Sequence, residues 1–402
     1  MADSPEPSAQ VNPSARLFAL KIGIAGGLLA GLLLSPKLWV SSRFYPQTPV
    51  LPFLRAIPFP IDYAVFILLL LLLVTIAVVP RPAKLIGAFL LLAAVLALLD
   101  QSRWQPWFYQ YLFMLLALGL CSRSPAAAMN TCRLIVVCTY FWSGLQKVNP
   151  GFAADVFPWM AEPLTRFLPA GARSFVVSFG LVVPFVEAGI GIALLTRRFR
   201  TAAMYLAIGM HVFILIGIGP FGHRANTVVW PWNLAMVAFL LILFPRSGDV
   251  SWRELLWGRG AVSQRVVLVQ RLALVMFGVL PLLSFFNLWD HYLSSALYSG
   301  NRNNGALYLS DDVLAELPSP IQEEATNEGL DVNKLEIADW SYRELNVPAY
   351  PEMRIYKNVA RSLCDYAESA SDVRLVVEAK GALFRGKRRF SYDCASLPEK
   401  DR

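Results

Sequence analysis

The sequence predicts an all-α polytopic membrane helix bundle of about nine transmembrane helices, followed by a small extracytoplasmic α+β C-terminal domain. Three observations carry this expectation. Of 402 residues, 56% are hydrophobic and 16% charged, whereas a soluble domain carries about 25% charged residues. The apolar residues fall in blocks, among them 63–79, 85–99 and 176–195, and a bilayer core of about 30 Å takes about 20 helical residues. Beyond residue 288 the blocks stop and a charged composition takes over.

In chain order, residues 1–15 (MADSPEPSAQVNPSA) are polar and rich in Pro and Ser, which reads as a disordered tail with little to bury and no cleavable signal peptide. Residues 16–288 form the expected membrane domain, with crossings at 17–34, 61–79, 84–99, 104–121, 127–146, 175–195, 201–218, 228–244 and 266–286. The net charge of +8 has no nucleic-acid motif beside it, and most basic residues lie between apolar blocks, so the charge is read as membrane orientation. With a cytoplasmic N-terminus the inner loops hold Arg81, Lys84, Arg123, the Arg197–Arg200 cluster, Arg246, Arg253, Arg259 and Arg265. The outer loops hold fewer, and nine crossings place residues 289–402 outside. There the runs 374–379 and 388–392 read as strands and 352–367 as a helix. An extracytoplasmic setting permits a Cys364–Cys394 disulfide. Cys121, Cys132 and Cys138 fall in or near membrane helices, and zinc spacings are absent, so no metal site is expected.

Two outer segments are more than connections. Residues 36–60 are rich in Pro and aromatics, and 151–169 set Phe152, Val156, Met160, Leu164 and Phe167 on nearly one helical face, as in a helix lying in the interface with Trp159 as anchor.

Polar side chains inside apolar segments are costly and point to partners or a cavity. Depth arithmetic sets Arg133 and Glu187 at similar levels of sequential antiparallel crossings, which predicts a structural ion pair. Lys147 ends the fifth crossing and reads either as a snorkelling lysine or, if withdrawn from water, as a base. His211 sits mid-crossing, as a helix–helix hydrogen bond, a contact to a quinone, a proton carrier or a haem ligand, the last disfavoured because no second membrane His is at hand. In the eighth crossing Pro231 allows a kink, and Trp232 and Asn233 fit the wall of an outward-facing pocket with Lys147 and His211. Nucleophile-elbow, P-loop, dinucleotide and zinc-protease motifs are absent.

The run TYFWSGLQKVNPGF (139–152) resembles the signature of the HTTM domain, the membrane part of vitamin K-dependent gamma-carboxylase and its bacterial relatives. The segments SPKLWVSSRFYPQTPV, FVEAGIGIALLTRRFR and GMHVFILIGIGPFGHRANTVVWPWN extend the resemblance over about residues 16–290. It implies a quinone (vitamin K-like) ligand, Lys147 as the base that deprotonates it, His211 as a pocket residue, and a bacterial inner-membrane location. Two departures accompany it. Gln146 stands where the carboxylase has a second lysine, and only about 110 residues replace its large luminal region. Residues 139–219 are also similar to DoxX-type proteins, which implies a subunit of a quinone/thiol redox system. A third expectation is a non-catalytic membrane module whose outer domain binds an envelope partner protein. The lipid bilayer is the partner common to all three.

Overall fold

The computed structural model describes residues 13–245, 251–257, 263–382 and 386–397. The first twelve residues of the expected tail lie outside these. Ten helices make up most of the N-terminal part: α1 (Pro13–Leu34), α2 (Ile61–Val78), α3 (Ala83–Leu99), α4 (Pro106–Leu120), α5 (Pro125–Gln146), α6 (Phe157–Thr165), α7 (Ala170–Ser178), α8 (Val183–Leu195), α9 (Arg200–Ile218) and α10 (Val229–Leu243). They are followed by α11 (Trp252–Trp257), α12 (Gln264–Ala273) and the short α13 (Leu280–Leu283).

Among the described residues four helical stretches are long and apolar enough to cross a membrane: Ser14–Leu34, Ile61–Val78, Arg200–Ile218 and Gln264–Phe286. A fifth is the pair Ala170–Leu181 and Val183–Leu195, bent by 47°. Three shorter apolar helices, Ala83–Leu99, Pro106–Leu120 and Val229–Leu243, accompany them. The outward faces are apolar. On α2, for example, Ile67, Leu71 and Val78 are exposed while Leu69, Leu73 and Ile76 are fully buried. A face of this kind suits lipid rather than water.

Proline placement explains where the segments depart from simple crossings. The expected crossing 175–195 is broken at Val182, because Pro184, lacking an N–H, sits in the first turn of α8 and opens a new helix there. Pro231, expected to kink its helix, instead lies in the first turn of α10, where its missing donor is harmless. In the last span a π-helical turn, Leu274–Val279, precedes Pro281.

Close packing of α5 on α8 is set by two glycines. A Cβ on Gly144 would come within 2.3 Å of the Ala188 nitrogen, and one on Gly191 within 2.7 Å of the Phe141 nitrogen. Only glycine permits this approach. At the opposite end of the bundle Arg133 and Arg16 cap the C-terminus of α10. Arg133 Nε donates to the Leu243 carbonyl at 2.6 Å and Arg16 Nε to the Ile242 carbonyl at 2.9 Å, which satisfies carbonyls at the negative end of the helix.

The long 36–60 connection is anchored by Asp100. Its buried carboxylate pairs with Arg43 and accepts from Thr48 (N, 3.3 Å; Oγ1, 3.2 Å) and from Ser102 N (3.0 Å). Burial opposes ionisation, but Arg43 and Arg103 outweigh it and hold the Asp100 carboxyl below the usual carboxylate range.

The C-terminal region is a five-stranded antiparallel sheet in the order β2-β3-β1-β4-β5, from β1 (Asn304–Leu309), β2 (Thr326–Gly329), β3 (Val332–Glu336), β4 (Val373–Ala379) and β5 (Arg388–Asp393). Leu307 faces Leu335 on one side and Leu375 on the other. Together with Trp340 of α16 (Ile337–Leu345) and Ile355 and Val359 of α17 (Met353–Leu363) they form its core. Cys364, just after α17, is disulfide-bonded to Cys394 after β5. Cys121, Cys132 and Cys138 are buried and free.

This domain docks on the end of the bundle where α5 terminates. The Glu344 carboxylate accepts from the Phe44 and Tyr45 nitrogens at 2.6 and 2.8 Å. Gln105 Nε2 donates to the Pro348 carbonyl at 3.1 Å, and Asn149 Nδ2 to the Ser299 carbonyl at 2.7 Å. Lys380 Nζ donates to the Ser284 carbonyl at 2.9 Å.

Candidate functional site

Beneath that docked end, α5, α8, α9, α10 and the 152–160 segment enclose a cavity of about 100 Å³. Most of its wall is apolar: Phe152, Phe157, Met160, Val183, Met210, Phe213, Ile214 and Met236. Two groups of polar side chains on its wall are each joined by hydrogen bonds.

The first is Lys147, the residue that ends α5. Its ammonium donates to both Glu187 oxygens, at 3.0 and 2.9 Å, and to Ser143 Oγ at 2.6 Å. Both side chains of the pair are largely buried, 11% and 7% exposed. Glu187 therefore pairs with Lys147 and not with Arg133. The depth arithmetic failed because it took the inner ends of the two helices as level, whereas Gly144 packs beside Ala188 and Gly191 beside Val137 and Phe141, so α8 ends well short of the start of α5. With α8 starting at Val183, Glu187 lies one turn from the domain end, whereas Arg133 lies 14 residues, about 21 Å, along α5 from Lys147.

The second is a chain of side chains reaching across three helices. Asn233 Nδ2 donates to the Val229 carbonyl at 2.8 Å, so its Oδ1 faces His211 Nδ1 at 2.7 Å. This arrangement places a proton on Nδ1 and leaves Nε2 as an acceptor for the Tyr140 hydroxyl at 2.6 Å. The chain runs in one direction: Tyr140, which also lines the cavity, donates to His211, and Asn233 steadies the imidazole.

Trp232 adds ring surface to the cavity and is fixed by its Nε1 donating to Gln110 Oε1 at 2.6 Å. Lys147, His211, Trp232, Asn233 and Glu187 thus line one cavity. Arg133 does not, and its role is the helix cap described above. The amphipathic segment also differs from the expectation. A π-helical turn, Phe152–Val156, shifts the register so that Phe152, Phe157 and Met160 turn inward, while Leu164 and Phe167 remain exposed. The segment closes the cavity rather than only lying on a surface.

Sequence reasoning missed Tyr140, Ser143 and Tyr298. The first two share a helix face with Lys147, at spacings of seven and four residues, and that periodicity was readable. Tyr298 comes from the irregular stretch before β1, where no periodic pattern exists. Among the described residues no group of three or more His, Cys, Asp or Glu is placed to hold a metal ion. No family model, curated protein or solved structure matches the chain.

Proposed function

We propose that the chain is a multi-pass membrane protein that binds a quinone-type ring in this cavity, with the Lys147–Glu187 pair as the group that takes its proton. The carrying observation is the cavity's chemistry, a largely aromatic and methionine-lined slot in which Lys147–Glu187 and Tyr140–His211 form two separate polar groups. Such a slot suits a flat apolar ring bearing oxygen at opposite edges. The resemblance of residues 139–152 to the HTTM signature supports the same ligand class.

A bound quinol carries two ionisable hydroxyl protons, one at each oxygen. The chain's residues supply the places for the protons. Glu187 holds the Lys147 ammonium, so the pair's accepting atom is the carboxylate unless Lys147 has first lost its own proton to water. Ser143 and Glu187 orient the lysine, and Tyr140–His211 is a second acceptor about two helical turns along α5. Nine crossings of the bacterial inner membrane, a cytoplasmic N-terminus and an extracytoplasmic C-terminal domain belong to the same proposal.

The alternative of a DoxX-like quinone/thiol subunit is less supported, because no cysteine is among the residues lining the cavity. A module that binds an envelope partner through the C-terminal domain would not need the cavity's two acceptors. Binding of a short-chain naphthoquinol analogue to the detergent-purified chain separates the readings. Saturable binding that Glu187→Gln weakens without unfolding the protein is expected. Equal binding by wild type and Glu187→Gln would remove the pair from the function.

A further inference from the structure

A second cavity, of about 600 Å³, lies between the 155–159 segment and the C-terminal domain. Tyr298 lines both it and the smaller cavity below. Arg302 and Asp339 line both it and a groove of about 570 Å³ over the sheet.

Three features of this vestibule are unexplained by folding alone. Arg302 is half-buried, yet its neighbours are tyrosines 292, 298, 342 and 356. Asp339 shares both its walls but makes no ion pair with it, and burial together with Glu336 and Glu324 pushes the Asp339 carboxyl up. Asp155, Glu324 and Asp339 also line the vestibule, and Arg302 acts on the charge of Asp339 without forming an ion pair with it; a partly desolvated guanidinium that no carboxylate among the described residues contacts favours an incoming anion. Second, Asn226 is 5% exposed and donates to the Tyr298 hydroxyl at 2.9 Å, but its Oδ1 has no donor among the described residues. An amide oxygen left so is costly unless a ligand supplies an N–H or O–H. Third, Arg224, Asn226 and Tyr298, all in this wall, hold φ of 52°, 48° and 55°. Left-handed backbone is unfavourable for a tyrosine and collects at binding sites.

We propose that the vestibule is a second binding site, for a ligand bearing an oxyanion (carboxylate or phosphate) and a hydrogen-bond donor, with Arg302 taking the anion and Asn226 Oδ1 the donor. This site does not depend on what occupies the lower cavity. The oxyanion has two possible sources, a water-borne molecule or the headgroup of a membrane lipid, and both would be recognised by the same two side chains.

The test is residue-resolved phenylglyoxal modification of the full-length protein, read by mass spectrometry, with exposed Arg55 as internal control. Inorganic phosphate or acetate should slow modification of Arg302 and not of Arg55, which identifies a water-borne oxyanion. Slowing only in bilayers containing phosphatidylglycerol, relative to phosphatidylcholine, identifies a lipid headgroup. In parallel, phosphate or the anionic lipid should raise the melting temperature of the wild type, and Arg302→Gln should weaken that effect roughly tenfold or more. Arg302 that is unreactive without any anion, or that reacts at one rate in all these conditions, overturns the proposal, and the modification readout needs no variant to fold.

Discussion

Lys147 and Glu187 form a largely buried ion pair at the end of α5. Removing one partner of such a pair strands the other charge, at a cost of about 3–5 kcal/mol. Lys147→Met should therefore lower the melting temperature clearly, and Lys147→Met with Glu187→Met should recover most of that loss while abolishing ligand retention. If the double variant is no more stable than the single, the pair is not coupled as described. The same residues show what a sequence can disclose at this scale. Lys147, His211, Trp232 and Asn233 stand out as polar or amphipathic groups in apolar runs, and they share one cavity. The partner of Glu187 was not legible, because pairing depends on how far α8 slides along the longer α5, which the glycine contacts at Gly144 and Gly191 fix only in the folded chain.

Among elements, the α5–α8 contact holds the site together. Gly191→Leu would drive a side chain into the Phe141 backbone, 2.7 Å from a Cβ at that position. It should cost about 1–3 kcal/mol and weaken binding of the quinol analogue by separating Lys147 from Glu187. Unchanged stability and binding would mean the helices can part without consequence. The docking of the C-terminal domain carries a pH dependence of its own. Burial lowers Lys380 from 10.5 to about 8. Between those values the unfolded chain binds more protons than the folded one, so this residue's contribution to stability rises with pH. The melting-temperature difference between Lys380→Met and wild type should accordingly shift in favour of the wild type from pH 8 to pH 10. A constant difference contradicts a depressed lysine. Element types were legible from periodicity where the apolar blocks are long, and β4, β5 and α17 from short patterned runs. Strands β1 to β3 and helices α14 (Asp311–Ala315) to α16 were not, since short half-buried elements leave little periodic signal.

For the whole molecule, two parts with different needs are joined at one end: apolar helices whose outer faces suit lipid, and a polar sheet domain closed by the Cys364–Cys394 disulfide. That bond closes a loop spanning 30 positions, so its removal by Cys364→Ser and Cys394→Ser should destabilise the sheet domain by about 3 kcal/mol. Loss of helix-bundle stability instead would place the coupling elsewhere. A mostly helical, apolar part followed by a small sheet region was legible because lipid imposes long apolar runs, but among the described residues four helical stretches, or five with the bent pair, are long and apolar enough to cross rather than the nine expected. The cavity was not, because it is made by packing distant segments, with the 152–160 turn and Tyr298 as its lid. The most direct test of the quinone proposal is mass spectrometry of molecules that co-purify in mild detergent with wild type and with Lys147→Ala. A quinone retained by the wild type and lost from Lys147→Ala is the predicted result, and a wild type that carries only bulk phospholipid would contradict it.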